Sequence, residues 1–288
     1  MKLVFIHGRD QQESTREALE KLWLDSLYIG WGEAGLPLPE GLSVTMAFYA
    51  DVLDELTRAL STPLARGVRL RGDEQAQDDF RGKFLQDIAT ANSVTDAQIQ
   101  AFLDEDSTEK GLGSSPWIQA LLRAVDQRTA LGEAALDRFT RDVYLYLAYP
   151  VVSDRITAIV EAAIGDEPCV VVAHSLGSIV AYRALQQLGR RANVVGLVTV
   201  GSPLGLNTVR EMLTPPALSM PGGVQQWFNA YDPGDAVALY PLDATRWNIT
   251  PGIENCKKVS NHMANRHGIA GYLDDVAVAT WVHQLLVK

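Results

Sequence analysis

The sequence is poor in several features that mark particular classes of protein. Only 2 of its 288 residues are cysteine, too few for a disulfide framework, so a reducing compartment is the simpler interpretation. The 25 lysines and arginines are outnumbered by 35 aspartates and glutamates, and the net charge of -10 disfavours binding to nucleic acid. No phosphate-binding Gly-rich fingerprint and no zinc-ligand spacing occurs, so we expect neither a cofactor nor a metal.

The sequence also lacks a long apolar run. No stretch approaches the roughly 20 apolar residues of a transmembrane helix, and the longest candidate, Cys169–Tyr182, is interrupted by histidine and serine. The opening Leu3–Ile6 run is too short for a signal peptide and has no small-residue cleavage site. We therefore expect a cytoplasmic protein without stable membrane insertion. The pattern indicates no particular oligomeric state.

Short apolar runs, separated by segments of helical spacing, make up much of the chain. Such runs are typical of strands that are buried on both faces of a sheet. They cover Leu3–His7, Val44–Tyr49, Cys169–Ala173, Val194–Val200, Gln226–Tyr231 and, more weakly, Lys257–Ser260. A last amphipathic helix is expected from Leu273 to Leu286. This alternation predicts an α/β protein with a doubly wound, mostly parallel sheet of about six strands.

Residues 51–150 break the alternation. Apolar residues recur there at helical spacing, as in Leu53, Leu56 and Leu60, and no convincing strand is present. The β/α alternation resumes afterwards, so the segment is interpreted as an insertion and not as a separate domain. We expect a core formed by residues 1–50 and 151–288, with residues 51–150 as a helical cap or lid.

The segment Val170–Ser178 carries the most information about function. An apolar strand leads into His-Ser-Leu-Gly and then into an apolar helix, the strand–turn–helix context of a nucleophilic serine, here Ser175. The small residues Ala173 and Gly177, two positions before and after the serine, relieve crowding where strand and helix meet. The amide of Leu176 opens the helix and could donate a hydrogen bond to an oxyanion.

A second oxyanion amide is expected at the end of the first strand, where the sequence reads His7-Gly8-Arg9. Glycine allows the backbone to turn sharply and to approach a neighbouring strand. We assign the amide to Arg9 and the shape of the loop to Gly8, with a plain strand-end turn as the alternative. His7 is interpreted as a structural hydrogen-bonding residue.

A nucleophilic serine needs a base and an acid that orients the base. Asp232 and Asp235 lie in a Pro-Gly loop after a predicted strand, and Asp235 is favoured because it follows the turn. Asp232 remains the alternative, or it caps the turn. Two histidines follow the last strand. His267 is favoured over His262 because the Gly-containing run after it has room to turn into a helix.

Together these motifs resemble the α/β-hydrolase superfamily and, more narrowly, bacterial lipase- and esterase-like serine hydrolases, with similarity to DDHD-type phospholipases. The Asp-x-Val at Asp235 resembles the acid position of the family, which supports Asp235 over Asp232. Ala173 replaces the more usual first glycine, and the hairpin that precedes the oxyanion strand in larger members has no counterpart. The matching segments are Ile6–Gly8, Ala173–Gly177, Gly201–Gly205, Asn229–Val237 and His267–Tyr272.

The resemblance implies an α/β-hydrolase fold in which Ser175, His267 and Asp235 cleave a carboxylic ester of a small molecule through an acyl-enzyme. The insertion would then cover the site and govern the choice of substrate. The same triad serves amidases and peptidases, which is a second hypothesis. A catalytically silent protein that binds a partner through the insertion is a third.

Overall fold

The computed structural model describes residues 1–9, 11–60, 71–103, 115–129 and 131–288. Positions 61–70, 104–114 and 130 of the predicted insertion lie outside the described residues. The strands are β1 (Lys2–Ile6), β2 (Ser43–Ala47), β3 (Cys169–His174), β4 (Val194–Val200), β5 (Trp227–Ala230) and β6 (Glu254–Cys256). The helices are α1 (Arg16–Glu33), α2 (Ala50–Leu60), α3 (Arg71–Ala91), α4 (Asp96–Gln100), α5 (Ser115–Thr129), α6 (Glu133–Ala148), α7 (Pro150–Ile164), α8 (Leu176–Leu188), α9 (Asn207–Leu213), α10 (Ala270–Leu273) and α11 (Val276–Leu286). Short 3-10 turns occupy Gly189–Arg191 and Pro203–Gly205.

The described strands form one six-stranded, all-parallel sheet in the order β2-β1-β3-β4-β5-β6, which confirms the predicted fold class. The order reverses between β1 and β3, so the connections leaving these two strands run in opposite directions. Ligands of open parallel sheets bind outside the carboxyl ends of the strands at such a switch point. The sheet therefore places the ends of β1 and β3 where a site is expected.

Burial explains the continuous apolar runs in the central strands. Every residue of β3 and β4 is buried, as expected for strands that are covered by helices on both faces. Helices α1 and α11 pack against each other, and the Trp31 indole donates a 2.8 Å hydrogen bond to the carbonyl oxygen of Ala279. A Cβ atom on Gly30 would lie 2.6 Å from that of Ala279, so glycine permits this close packing.

Near the C-terminus one predicted strand is wrong and one predicted helix starts later than expected. The last strand is β6 (Glu254–Cys256) and not Lys257–Ser260, because only three residues pair with β5 at this edge of the sheet and they are polar or half-buried. The predicted helix Leu273–Leu286 begins later, at Val276 as α11, because Leu273 ends the separate short helix α10. Asp275 caps the N-terminus of α11, since its side chain accepts a 2.9 Å hydrogen bond from the amide of Ala277.

The described chain divides into two compact units. The core unit comprises Met1–Val52, Asp154–Gly205 and Pro216–Lys288 and contains the sheet. The helical unit comprises Leu53–Ser153 and Leu206–Pro215. In the described residues no single helix has the length and apolar character to span a membrane, although the successive helices α6 and α7 reach that threshold together as a bent pair.

The helical unit has its own aromatic core and its own polar anchor. Phe84 contacts Phe80 and Phe139, with ring centroids 5.5 and 5.6 Å apart. Asp87 on α3 accepts hydrogen bonds from the backbone amide and the hydroxyl of Thr208, at 2.7 and 2.8 Å. These bonds attach α9 to the unit, although the predicted insertion ended more than fifty residues earlier in the chain.

Candidate active site

Ser175 lies in the turn between β3 and α8 with a strained backbone. Its φ of 54° and ψ of -128° fall where residues with a side chain are rarely found. A Cβ atom on Gly177 would come closer than 3.0 Å to the carbonyl oxygens of Ile6 and His7. Gly177 thus lets the start of α8 lie directly against β1, and this tight packing supports the turn that presents the serine.

A chain of hydrogen bonds holds the carbonyl group of Ser175. The Ser178 hydroxyl donates to this carbonyl oxygen at 2.6 Å and lies 2.7 Å from the Ser202 hydroxyl, which accepts from the Leu204 amide at 3.2 Å. Because Ser178 has one proton and uses it toward Ser175, Ser202 is the donor between the two hydroxyls.

The structure brings the three favoured triad residues together. His267 Nε2 is 2.7 Å from Ser175 Oγ, and His267 Nδ1 is 2.8 Å from Asp235 Oδ2. Because an ionised carboxylate can only accept, the proton of a neutral His267 ring lies on Nδ1. Nε2 is then free to accept the proton of the serine hydroxyl. This is the arrangement in which a serine hydroxyl can be activated as a nucleophile.

Asp235 is fully buried, yet it is held as a carboxylate. Its Oδ1 accepts a 3.0 Å hydrogen bond from the Val237 amide, and its Oδ2 accepts a 2.6 Å bond from the Tyr272 hydroxyl in addition to that from His267. Burial by itself raises the pKa of Asp235, but the facing His267 and these hydrogen bonds outweigh it and lower the pKa below its ordinary value.

The alternative acid, Asp232, has a different set of partners. Its carboxylate accepts from the amide of Gly234 at 2.6 Å and from the amide of Asn261 at 2.7 Å, and Arg266 lies 3.4 Å away. It therefore closes the Pro-Gly turn and also ties this loop to the loop that carries His267. The structure does not pair Asp232 with the imidazole of His267.

The alternative base, His262, is also placed elsewhere. Its side chain is 63% exposed, and its Nε2 lies 3.5 Å from a carboxylate oxygen of Asp274. Burial raises the pKa of Asp274, an effect that the nearby imidazole partly offsets. The structure thus brings His267, and not His262, to Ser175.

His174, which precedes Ser175, contacts His267, the predicted base. Its Nε2 donates a 2.9 Å hydrogen bond to the backbone carbonyl oxygen of His267, and the two rings lie 4.8 Å apart. Burial, together with the neighbouring His267, lowers the pKa of His174 to about 3. Sequence reasoning had placed His174 within the motif without giving it a partner.

His7 shapes the loop after β1. Its Nδ1 donates to the Gly8 carbonyl oxygen at 2.5 Å, while its Nε2 accepts from the Tyr49 amide at 3.0 Å. The Tyr49 hydroxyl donates in turn to the His7 carbonyl oxygen. Burial lowers the pKa of His7 to about 4, so both ring nitrogens keep these roles at neutral pH. The partners agree with the structural role predicted for this histidine.

One predicted oxyanion residue, Leu176, follows Ser175 in the chain, and the other, Arg9, follows a glycine that lies against Ser175. A Cβ atom on Gly8 would be 3.0 Å from the Cβ of Ser175, so the loop that continues into Arg9 runs directly against the serine. Leu176 is the first residue of α8, and its amide has no partner one turn earlier in the helix. Their role as hydrogen-bond donors to an oxyanion remains a prediction.

Within the part of the chain that the structure describes, no group of three or more His, Cys, Asp or Glu side chains could hold a metal ion. A scan against protein-family models and searches of curated proteins and of solved structures each found no match. Any assignment of function therefore depends on the geometry of this site.

Proposed function

We propose that this protein is a serine hydrolase that cleaves carboxylic esters of small molecules through an acyl-enzyme. The observation that carries the proposal is the continuous hydrogen-bonded line from Ser175 Oγ through His267 to Asp235, with spacings of 2.7 and 2.8 Å. The line starts at Ser175, which lies on a strained turn at the switch point of an all-parallel sheet. These features support acyl transfer at Ser175.

In the acylation step, Ser175 Oγ attacks the ester carbonyl carbon while its proton moves to His267 Nε2. The imidazolium that forms is stabilised by the carboxylate of Asp235, which stays ionised. The amides of Leu176 and Arg9 donate to the negatively charged carbonyl oxygen. Collapse of the tetrahedral intermediate breaks the bond to the alcohol, which leaves with the proton from Nε2.

In the deacylation step, water takes the place of the alcohol. His267 Nε2 accepts a proton from the water as its oxygen attacks the acyl carbon. The same amides stabilise the second tetrahedral intermediate, and Ser175 Oγ leaves with the proton. The acid product is released and the resting arrangement of the triad is restored.

Replacement of the nucleophile tests the proposal. Ser175→Ala should reduce turnover of a p-nitrophenyl ester on the order of 10⁴- to 10⁶-fold and should abolish labelling by a fluorophosphonate. Ser43→Ala, at an exposed serine of β2, is the matched control and should behave like the unaltered protein. Undiminished turnover and labelling of Ser175→Ala would refute the proposed mechanism.

The range of substrates needs a separate assay, because one triad can serve esters, amides and peptides. A panel of esters of increasing acyl length, run beside a peptide library, would define the preferred bond. Faster cleavage of peptides would mean that the protein is a peptidase and not an esterase.

Both Cys169 and Cys256 are free thiols, which supports a reducing compartment such as the cytoplasm as the site of action.

A further inference from the structure

We propose that Tyr272 is a positioning residue of the triad, whose hydroxyl fixes the carboxylate of Asp235 in the orientation that receives His267. The inference builds on the proposed function, since positioning matters only if the triad works. It concerns a residue to which the sequence analysis gave no role beyond ending the matching segment His267–Tyr272. Tyr272 touches the acid and not the reacting atoms.

The direction of the hydrogen bonds at Tyr272 follows from the chemistry of its partners. The backbone amide of Asp232 can only donate, and it lies 3.1 Å from the Tyr272 oxygen. The single hydroxyl proton is therefore available to Asp235 Oδ2, 2.6 Å away. The amide of Asp232 thus holds the Tyr272 hydroxyl in place, and this neutral hydroxyl donates to Asp235, three positions further along the same loop.

The ring of Tyr272 cannot move easily. The residue is fully buried, and its ring centroid lies 6.2 Å from that of His174. A Cβ atom on Gly201 would lie 3.1 Å from the edge of the tyrosine ring, so the ring also fills the space beside this glycine. A rigid ring with two side-chain torsions places its hydroxyl with little loss of conformational freedom.

Asp235 Oδ2 receives both the Tyr272 hydroxyl and His267 Nδ1, whereas Oδ1 receives the amide of Val237. Removal of the hydroxyl would leave the carboxylate with one donor on each oxygen, so that it would be held less firmly about its last torsion. The His267 ring would then lose its fixed orientation toward Ser175. The defect should appear in the chemical step and not in the binding of substrate.

The experiment compares two tyrosine-to-phenylalanine variants. Tyr272→Phe removes only the hydroxyl, and we expect kcat for a p-nitrophenyl ester to fall about 10-fold or more, the loss typical of a hydrogen bond to a charged group, with KM changed less than twofold. Tyr182→Phe is the matched control. Its buried hydroxyl donates to the Ser219 carbonyl oxygen at 3.3 Å and accepts from Gln186 at 2.9 Å, away from the triad. It should leave kcat unchanged.

A double-mutant cycle asks whether Tyr272 acts through Asp235. In an Asp235→Ala background, Tyr272→Phe should reduce kcat less than twofold further, because the group that it positions is gone. Equal losses in both backgrounds would overturn the inference. If Ser175→Ala inactivates the protein but the single Tyr272→Phe variant keeps an unchanged kcat, the inference is likewise overturned.

A spectroscopic measurement separates this inference from the proposed function. In protein labelled with ¹⁵N-histidine, the proton of His267 Nδ1 that bonds to Asp235 gives a resonance identified by its loss in Asp235→Ala. Tyr272→Phe should shift or broaden this resonance, while Tyr182→Phe should leave it in place. An unaltered resonance in Tyr272→Phe refutes positioning, whether or not the protein hydrolyses any ester. If the protein is inactive and the resonance moves, only the proposed function fails.

Discussion

The imidazole of His174 donates a hydrogen bond from Nε2 to the backbone carbonyl oxygen of His267, 2.9 Å away. His174, the residue before the proposed nucleophile, is therefore hydrogen-bonded to the main chain of His267, the proposed base. The bond requires a proton on Nε2 of His174, and burial disfavours a second proton on the ring. The position of the proposed base thus depends on a histidine that stays neutral.

The stability of the fold should depend on pH because His7 and His174 are buried and neutral. Their folded pKa values are lowered to about 4 and about 3, against 6.5 for an exposed histidine. Between pH 6.5 and 4 the unfolded chain binds a proton at each histidine and the folded chain does not. The free energy of unfolding should therefore fall as the pH falls, by about 1.4 kcal/mol per pH unit for each group.

Urea unfolding at a series of pH values between 4 and 7 measures this slope. His174→Gln, which keeps an N–H donor for the His267 carbonyl, should reduce the slope by roughly half, because one of the two titrating groups is gone. Asp235 contributes in another range: its lowered pKa stabilises the folded chain above about pH 4, and this contribution is lost as the pH falls through the folded value. A slope that His174→Gln leaves unaltered would contradict the prediction.

Substitution of the two loop aspartates should have different effects on catalysis. In Asp235→Asn the new amide group can donate toward His267, which favours the tautomer with its proton on Nε2, where it cannot accept the serine proton. We expect kcat to fall about 10³- to 10⁴-fold. Asp232→Asn, which leaves that pair intact, should reduce kcat less than about 10-fold. Equal losses in ester assays of the two purified variants would contradict the assignment of the acid.

Asp232→Asn should instead weaken the fold. The carboxylate accepts two backbone N–H groups, from Gly234 and Asn261, and an amide offers only one oxygen to replace two. Leaving a buried amide without its acceptor costs about 1 to 3 kcal/mol. Thermal unfolding should show a correspondingly lower midpoint, and an unchanged midpoint would argue against this anchoring role.

Gly177→Ala should destabilise the protein strongly, because the added methyl group meets the carbonyl oxygens of Ile6 and His7. A cost of about 3 kcal/mol is the order expected for overpacking against rigid backbone. Gly32→Ala is the matched control, since nothing lies within 4 Å of a Cβ atom there and the position lies in a helix. It should be neutral or stabilising by up to about 1 kcal/mol. Denaturant midpoints of the two variants test the contrast.

Ser202→Ala should disturb the turn that carries Ser175. The change removes the acceptor of the Leu204 amide and the donor to Ser178, both of which are buried. The expected loss of stability is about 1 to 3 kcal/mol. Ser43→Ala, at an exposed position, should stay within about 0.5 kcal/mol. Similar unfolding free energies for the two variants would remove support for the hydroxyl chain.

The local parts of the site could be predicted from the sequence because their partners are adjacent in the chain. The apolar strand, the His-Ser-Leu-Gly turn and the following helix occupy one continuous segment, and Gly177 follows from the crowding in that segment. The choice of Asp235 over Asp232 rested on its place after the Pro-Gly turn and on a resemblance, since both residues lie in one loop within three positions of each other. The structure separates them by their partners, since His267 faces the carboxylate of Asp235.

The remaining contacts could not be seen in the sequence because they join distant segments. Tyr272 lies 37 residues from Asp235, and a tyrosine in an apolar stretch has the pattern of a core residue. The hydrogen bond from His174 to His267 spans 93 residues. Strand β6 was misplaced because its three residues show neither alternation nor a continuous apolar run.

The attachment of Thr208 to Asp87 has a consequence for any attempt to shorten or exchange parts of this protein. The chain enters the helical unit twice. Deletion of Leu53–Ser153 alone would therefore remove the acceptor of two hydrogen bonds and leave helix α9 without its neighbours. The unit is consequently not a transferable cassette with a single pair of junctions. A chimera that grafts it onto another sheet must carry Leu206–Pro215 as a second, separate splice.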